Sequence, residues 1–324
     1  MTNRQKNLPL QNRKNPKMKR ELLIAEFLAT PWAMMPERLN AVAAVLTRWS
    51  RGDMASAETM QQIEADKAAR SARREQLAGS SGNGIAVLPL YGVVTQRGNQ
   101  VDDVSGPGSV STQRFASALR EAIADPAVGG ILIDIDSPGG SVYGVAELAD
   151  EIIAARSQKP VVAIANSLAA SAAYWIGASC SEMYVTPGGE VGSIGVWQAH
   201  FDYSEALARD GVKPTLISAG KYKVEGNPYA PLDSDAQSFM QSRVDDYYAA
   251  FTKAVAKGRN VPISQVRSGM GEGRVLGADA ALAQNMVDGV ATFSDVVRKM
   301  QRDLKASKPK ANRLALARRE LEIL

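Results

Sequence analysis

The chain has 324 residues, 45% of them hydrophobic, and a formal net charge of +4. That apolar share belongs to a folded globular protein, and the length suits one large α/β domain with an appendage. A single cysteine, Cys180, and a single histidine, His200, exclude an internal disulfide, a multi-cysteine zinc site and any multi-histidine metal centre.

Residues 1–20 hold seven Lys/Arg and no acid, and residues 302–324 hold seven against three acids, which leaves 24 basic and 31 acidic residues between them. The excess of positive charge is thus confined to the ends, so the core is not an evident nucleic-acid surface, and the basic tails either bind nucleic acid or serve as unstructured solubilising ends. Residues 1–20 read as a solvated, disordered basic arm. From Glu21 to about Ala78 the pattern is helical, with breaks at Thr30-Pro31 and near Arg51-Gly52-Asp53. Residues 21–78 are therefore expected to form a helical N-terminal extension. Leu22 to Met35 imitates a secretory signal, but Glu26 interrupts it, Pro31 breaks it and no small-residue cleavage site follows. Val161 to Cys180 is also apolar, yet Asn166 and several serines make it a poor membrane span. A soluble, cytoplasmic protein without a membrane anchor is expected.

Residues 79–84, Gly-Ser-Ser-Gly-Asn-Gly, read as a linker and domain boundary. Beyond it short apolar strands alternate with helices. Ile85 to Thr95 is one strand or two, and Thr112 to Ala124 is a helix stopped by Asp125-Pro126. Ile131 to Asp136 is a buried strand, and Val142 to Arg156 is an amphipathic helix with Val142, Val145, Leu148, Ala149, Ile152 and Ile153 on one face. Then come a strand from Val161 to Ala165, a helix from Ala172 to Ser179 and a strand from Met183 to Thr186. Tyr203 to Arg209 is a short helix, Thr215 to Ser218 a strand, and Ala219 to Pro231 a loop. Ser234 to Lys257 is a long helix, and Ala278 to Asn285 is the last before the chain turns back to the sheet at Met286-Val287-Asp288-Gly289. Repeated β-α-β units favour a mainly parallel sheet with helices packed on it. Residues 291–324 read as a C-terminal helix and basic tail.

Three places carry candidate chemistry. Ser171 sits where a strand feeds a helix, which exposes a hydroxyl near unpaired backbone N–H groups; it is either a nucleophile or a small residue that lets the helix pack closely. Ser137-Pro138-Gly139-Gly140 follows a strand at its carboxyl end, where ligands of open α/β sheets bind. Its glycines let backbone N–H groups point into a cavity, as an oxyanion hole requires, although an ordinary turn or a phosphate cradle has the same look. No Gly-x-x-x-x-Gly-Lys-Ser/Thr pattern accompanies it. A nucleophilic serine needs a base. His200, flanked by bulky residues, fits a structural role, and Lys221 and Lys223 lie in the Gly-rich loop after Thr215–Ser218. A lysine base must be neutral, which burial achieves by bringing its pKa down from about 10.4 towards 7.

Taken together, Asp136-Ser137-Pro138-Gly139-Gly140, Ser167-Leu168-Ala169-Ala170-Ser171, Gly192-Ser193-Ile194-Gly195-Val196 and Ser218-Ala219-Gly220-Lys221-Tyr222-Lys223 closely resemble the S49 peptidases, the signal-peptide-peptidase-A and phage capsid-protease serine enzymes. The resemblance covers about Ile85 to Val290. It implies an α/β fold like that of Clp protease and crotonase, a repeated ββα superhelix, here with a helical N-terminal extension. It implies Ser171 as nucleophile, Lys223 as general base, the N–H groups of Gly140 and Ala172 as oxyanion donors, and Ser193 as the hydroxyl that orients the lysine and relays protons. Lys221 is off register. The family has Gly-Gly after its serine where this chain has Ala172-Ala173, a change that keeps the N–H donor. No metal or other cofactor is required. A single Ser–Lys set implies a homo-oligomer with active sites shared between subunits, and the phage type implies scaffold or capsid proteins as substrates inside the immature head. A housekeeping peptidase, a non-catalytic scaffold-binding module and a crotonase-type acyl-CoA protein are the competing readings; the last lacks a placed carboxylate.

Overall fold

Strands buried on both faces need apolar side chains at nearly every position, and Ile131-Leu132-Ile133 and Val161-Val162-Ala163-Ile164 meet that demand. The computed structural model describes residues 29–36, 84–97 and 109–306, with four single positions between 56 and 65. The expected arm 1–20, most of the extension 21–78, the linker up to Gly84 and the tail beyond 306 lie outside the described residues.

In chain order the elements are β1 (Trp32–Met34), β2 (Gly84–Tyr91), β3 (Val93–Thr95), β4 (Ser109–Ser111), α1 (Thr112–Ala124), β5 (Val128–Ser137), β6 (Gly139–Ser141), α2 (Val145–Ala155), β7 (Val161–Ala170), α3 (Ala172–Ala178), β8 (Glu182–Val185), β9 (Glu190–Gly192), α4 (Ser204–Arg209), α5 (Ser234–Arg259), α6 (Ile263–Arg267), β10 (Val275–Gly277), α7 (Ala278–Ala283) and β11 (Gly289–Val290). A helix over 293–306 ends the described chain.

β2, β5 and β7 lie side by side in parallel, and β8 and β9 pair with β7 one after the other along its length. β11 joins β8 in parallel and β10 closes on β9 antiparallel. A second, four-stranded sheet has the order β1-β6-β3-β4. Alternation sorts the main sheet's side chains to two cores. Ile131, Ile133 and Ile135 of β5 join Phe115, Leu119, Leu148, Ile152 and Phe251 of the helices. Leu132, Val162 and Ile164 join Val296, Val297 and Met300 on the other face. This is the mixed α/β arrangement with parallel pairing that the alternating pattern predicts.

Three local expectations need correction. Trp32–Met34 is a strand, not part of a helix: Pro31 breaks the helical pattern just before it, and its backbone finds partners in β6 instead. α2 begins at Val145, three residues later than expected, because Gly144 stands before it at φ +76°. Thr215–Ser218 forms no strand, although its composition suits one, because no neighbouring strand of this chain pairs with it among the described residues.

Candidate active site

β7 runs into α3 through one residue, Ser171. Its φ and ψ are 56° and −119°, a conformation that is costly for any residue but glycine and persists only where the surroundings enforce it. The enforcement is visible on both sides. The Ser171 N–H donates to the Gly192 carbonyl (2.7 Å), and the Ser171 carbonyl accepts from the Trp175 N–H (2.9 Å). Every residue of α3 is buried. Trp175 stacks on Phe251 with ring centroids 4.7 Å apart, the Tyr174 hydroxyl donates to the Met286 carbonyl (3.0 Å), and a Cβ on Gly177 would stand 2.9 Å from the Met183 Cε. The helix therefore cannot shift to relax the elbow. The Ser171 hydroxyl donates to the Gly195 carbonyl at a long 3.4 Å. A carbonyl can orient a hydroxyl but is no base.

The glycine turn lies directly beside this elbow. The Ser137 hydroxyl ties it down, donating to the Gly92 carbonyl (2.6 Å) and accepting from the Gly139 N–H (3.2 Å). Gly139 has φ +94°, and a Cβ there would stand 2.9 Å from the Ser171 Cβ. At Gly140 a Cβ would stand 1.9 Å from the Val94 carbonyl oxygen, which belongs to the paired strand β3 and cannot swing away. Ala172 supplies the first amide of α3, one of those that a helix leaves without an internal acceptor. Gly140→Ala is thus expected to push β6 off β3, costing about 1–3 kcal/mol of stability. Thermal melting of the variant beside the parent checks this.

The other expected site residues separate into two groups. Ser193 belongs with the elbow: it is buried, follows Gly192, and stands at φ 53° with its N–H donated to the Arg274 carbonyl (2.8 Å). Lys223 does not. It sits on an exposed turn, its N–H donating to the Gly220 carbonyl (3.2 Å), and among the described residues no hydrogen bond links it to Ser171. Every residue from 208 to 223 is exposed, including Ile217 at 96%. Lys221 lies over the Tyr222 ring, 4.6 Å from its centroid. His200 is 3.0 Å from the Asn227 carbonyl through its Nε2, a bond that fastens one loop to another. Burial pushes the Cys180 thiol up to about 12, so it offers no thiolate at neutral pH. Among the described residues no group of three potential metal ligands occurs, and no helix is long and apolar enough to cross a membrane.

Sequence reasoning missed the anchoring by Ser137, although its place before Pro-Gly-Gly was on view. It also missed β1, whose Ala33 carbonyl oxygen would stand 2.2 Å from a Cβ on Gly139.

Comparison with known proteins gives these positions a context. The model of peptidase family S49 matches residues 153–307, a segment that contains Ser171, Ala172, Ser193 and Lys223 but not Gly140. The "Capsid assembly protease C" of Escherichia phage lambda is 35% identical over 243 residues, 75% of this chain and 54% of the relative. The "Head-tail preconnector protein GP5" of Enterobacteria phage P21 is 36% identical over 218 residues, 67% of this chain and 43% of the relative. The "Putative signal peptide peptidase SppA" of Enterococcus faecium is 28% identical over 228 residues, 70% and 65% of the two chains. The chain thus spans about half the length of the two phage relatives.

Proposed function

The chain belongs to peptidase family S49, and on that premise we propose that it is a serine endopeptidase working through Ser171 and Lys223 in a Clp protease/crotonase-like fold. The observation that carries this reading is the strained, buried elbow at Ser171 set against the Gly139-Gly140 turn. Neutral Lys223 takes the proton of the Ser171 hydroxyl as Oγ bonds to a peptide carbonyl carbon. The carbonyl's electron pair moves to oxygen, where the Gly140 and Ala172 N–H groups hold it. Collapse breaks the C–N bond, the departing amine takes the proton back from the lysine, and water releases the acyl group in the same way. Ser193, beside the elbow, orients the lysine amine.

The exposed position of Lys223 supports a site shared between subunits. The segment 208–223 leaves Val212, Leu216, Ile217 and Tyr222 exposed, apolar side chains of the sort that interfaces cover. Packed against a neighbouring copy, this segment would deliver Lys223 to that copy's Ser171, lose its water and become a base. The names of the phage relatives favour scaffold or capsid proteins as substrates over housekeeping degradation. Treatment of the full chain with a fluorophosphonate, followed by peptide mass mapping, tests the nucleophile. One adduct that accumulates on Ser171 is expected; a protein that hydrolyses peptides while Ser171 stays unmodified would sink the reading.

A further inference from the structure

β1 is only three residues long, yet both of its edges are engaged. On one side Trp32–Met34 pairs antiparallel with Gly139–Ser141, with Ala33 opposite Gly140. On the other, the Trp32 N–H donates to the Trp197 carbonyl (2.8 Å) and the Trp32 carbonyl accepts from the Trp197 N–H (3.0 Å). The Trp197 indole N–H also donates to the Met34 carbonyl (2.8 Å). Since Trp32 turns both backbone groups to Trp197, the alternation of an extended strand turns those of Ala33 to Gly140. The Ala33 carbonyl oxygen and the Ser171 Cβ lie 2.2 and 2.9 Å from one point, the Cβ position that Gly139 lacks, and are therefore no more than about 5 Å apart. This is where a substrate bound as an added strand would present its scissile carbonyl.

We propose that Trp32–Met34 is a substrate-mimicking strand carried by the chain itself, which fills the groove between β6 and Trp197 and keeps the Ser171 site latent. The groove it fills takes an extended peptide with a small residue between two large apolar ones, as in Trp32-Ala33-Met34. This deepens the peptidase reading and rests on Ser171 and Gly140 having the roles given above. Burial agrees: Ala33 is 0% exposed and Ser171 1%, so an incoming peptide reaches the hydroxyl only after the strand leaves. The ladder is also built to be short. Pro31 and Pro36 bracket it without N–H groups, and Pro138 opposite Met35 has none. A three-residue ladder is marginal on its own and can be displaced.

The test uses a fluorescein-labelled peptide of residues 30–37 and the full chain in two forms, Ser171→Ala and Ser171→Ala with Ala33→Arg. Arginine cannot be housed at the buried Ala33 position, so the strand is expelled and the labelled peptide should bind at least about tenfold tighter than to the single variant. Equal affinities, with far-UV circular dichroism and cooperative melting retained, overturn the proposal and leave β1 a permanent strand of the fold. If Ala33→Arg loses cooperative melting, Met34→Ala replaces it: this trims the buried side chain of the chain's own strand and leaves the groove that the labelled peptide enters unaltered, and a gain of about tenfold or more is expected, parity again overturning the proposal. With Ser171 intact, Ala33→Arg should also be labelled by fluorophosphonate about tenfold faster than the parent. Tight peptide binding without labelling upholds the groove and its occupant while it sinks the peptidase reading.

Discussion

Ser171→Ala is expected to lower peptide hydrolysis on the order of 10⁴-fold or more, with the thermal midpoint almost unchanged. Both halves of that expectation come from the elbow. The hydroxyl's hydrogen bond, to the Gly195 carbonyl, is long at 3.4 Å, so its loss costs at most a few tenths of a kcal/mol. Alanine fits the same space and bears the same backbone strain at φ 56° as serine does. Its neighbours Ala170, Ala172 and Ala173 already sit buried around the position. The backbone bonds from Ser171 to Gly192 and from Trp175 to Ser171 do not involve the side chain. A folded Ser171→Ala protein that keeps activity within tenfold of the parent would remove Ser171 from the reaction. A loss of activity accompanied by a collapse of the melting transition would assign it the packing role instead. Cys180 offers no rescue, since burial holds its thiol protonated.

What the sequence disclosed about this site follows from how local each signal is. Ser171 is legible because the strand-to-helix change on either side of it is written in adjacent residues. The Pro138-Gly139-Gly140 turn is legible for the same reason, although what makes glycine compulsory at Gly140 is the Val94 carbonyl on another strand. β1 was not legible. Three residues carry no period, helical patterns flank them in the sequence, and their pairing partner stands more than a hundred positions away. Thr215–Ser218 failed in the opposite direction: its composition is that of a strand, but a strand needs a neighbour, and this chain supplies none among the described residues. A segment with strand composition, exposed apolar side chains and the expected base Lys223 at its end has the makings of an interface element.

Lys223→Ala is the second large effect, and here the arrangement of subunits matters as much as the size of the loss. Removing a general base lowers turnover by about 10²–10⁴-fold, and Lys221→Ala, which alters only the side chain over the Tyr222 ring, should retain most activity. The informative experiment mixes inactive Ser171→Ala with inactive Lys223→Ala after partial unfolding and refolding. If each site takes its serine from one copy and its lysine from the next around a closed ring, random mixing of equal amounts completes about one site in four. Activity should then return to roughly that fraction of the parent, and it should vanish again when Ile217→Asp is built into both chains. Ile217 is 96% exposed, so aspartate there leaves the isolated fold undisturbed and acts only where the segment 208–223 is covered by a neighbour. No recovery on mixing, with both variants assembled, would place serine and base on one chain. The exposed segment would then have to fold back onto its own elbow for the lysine to meet Ser171.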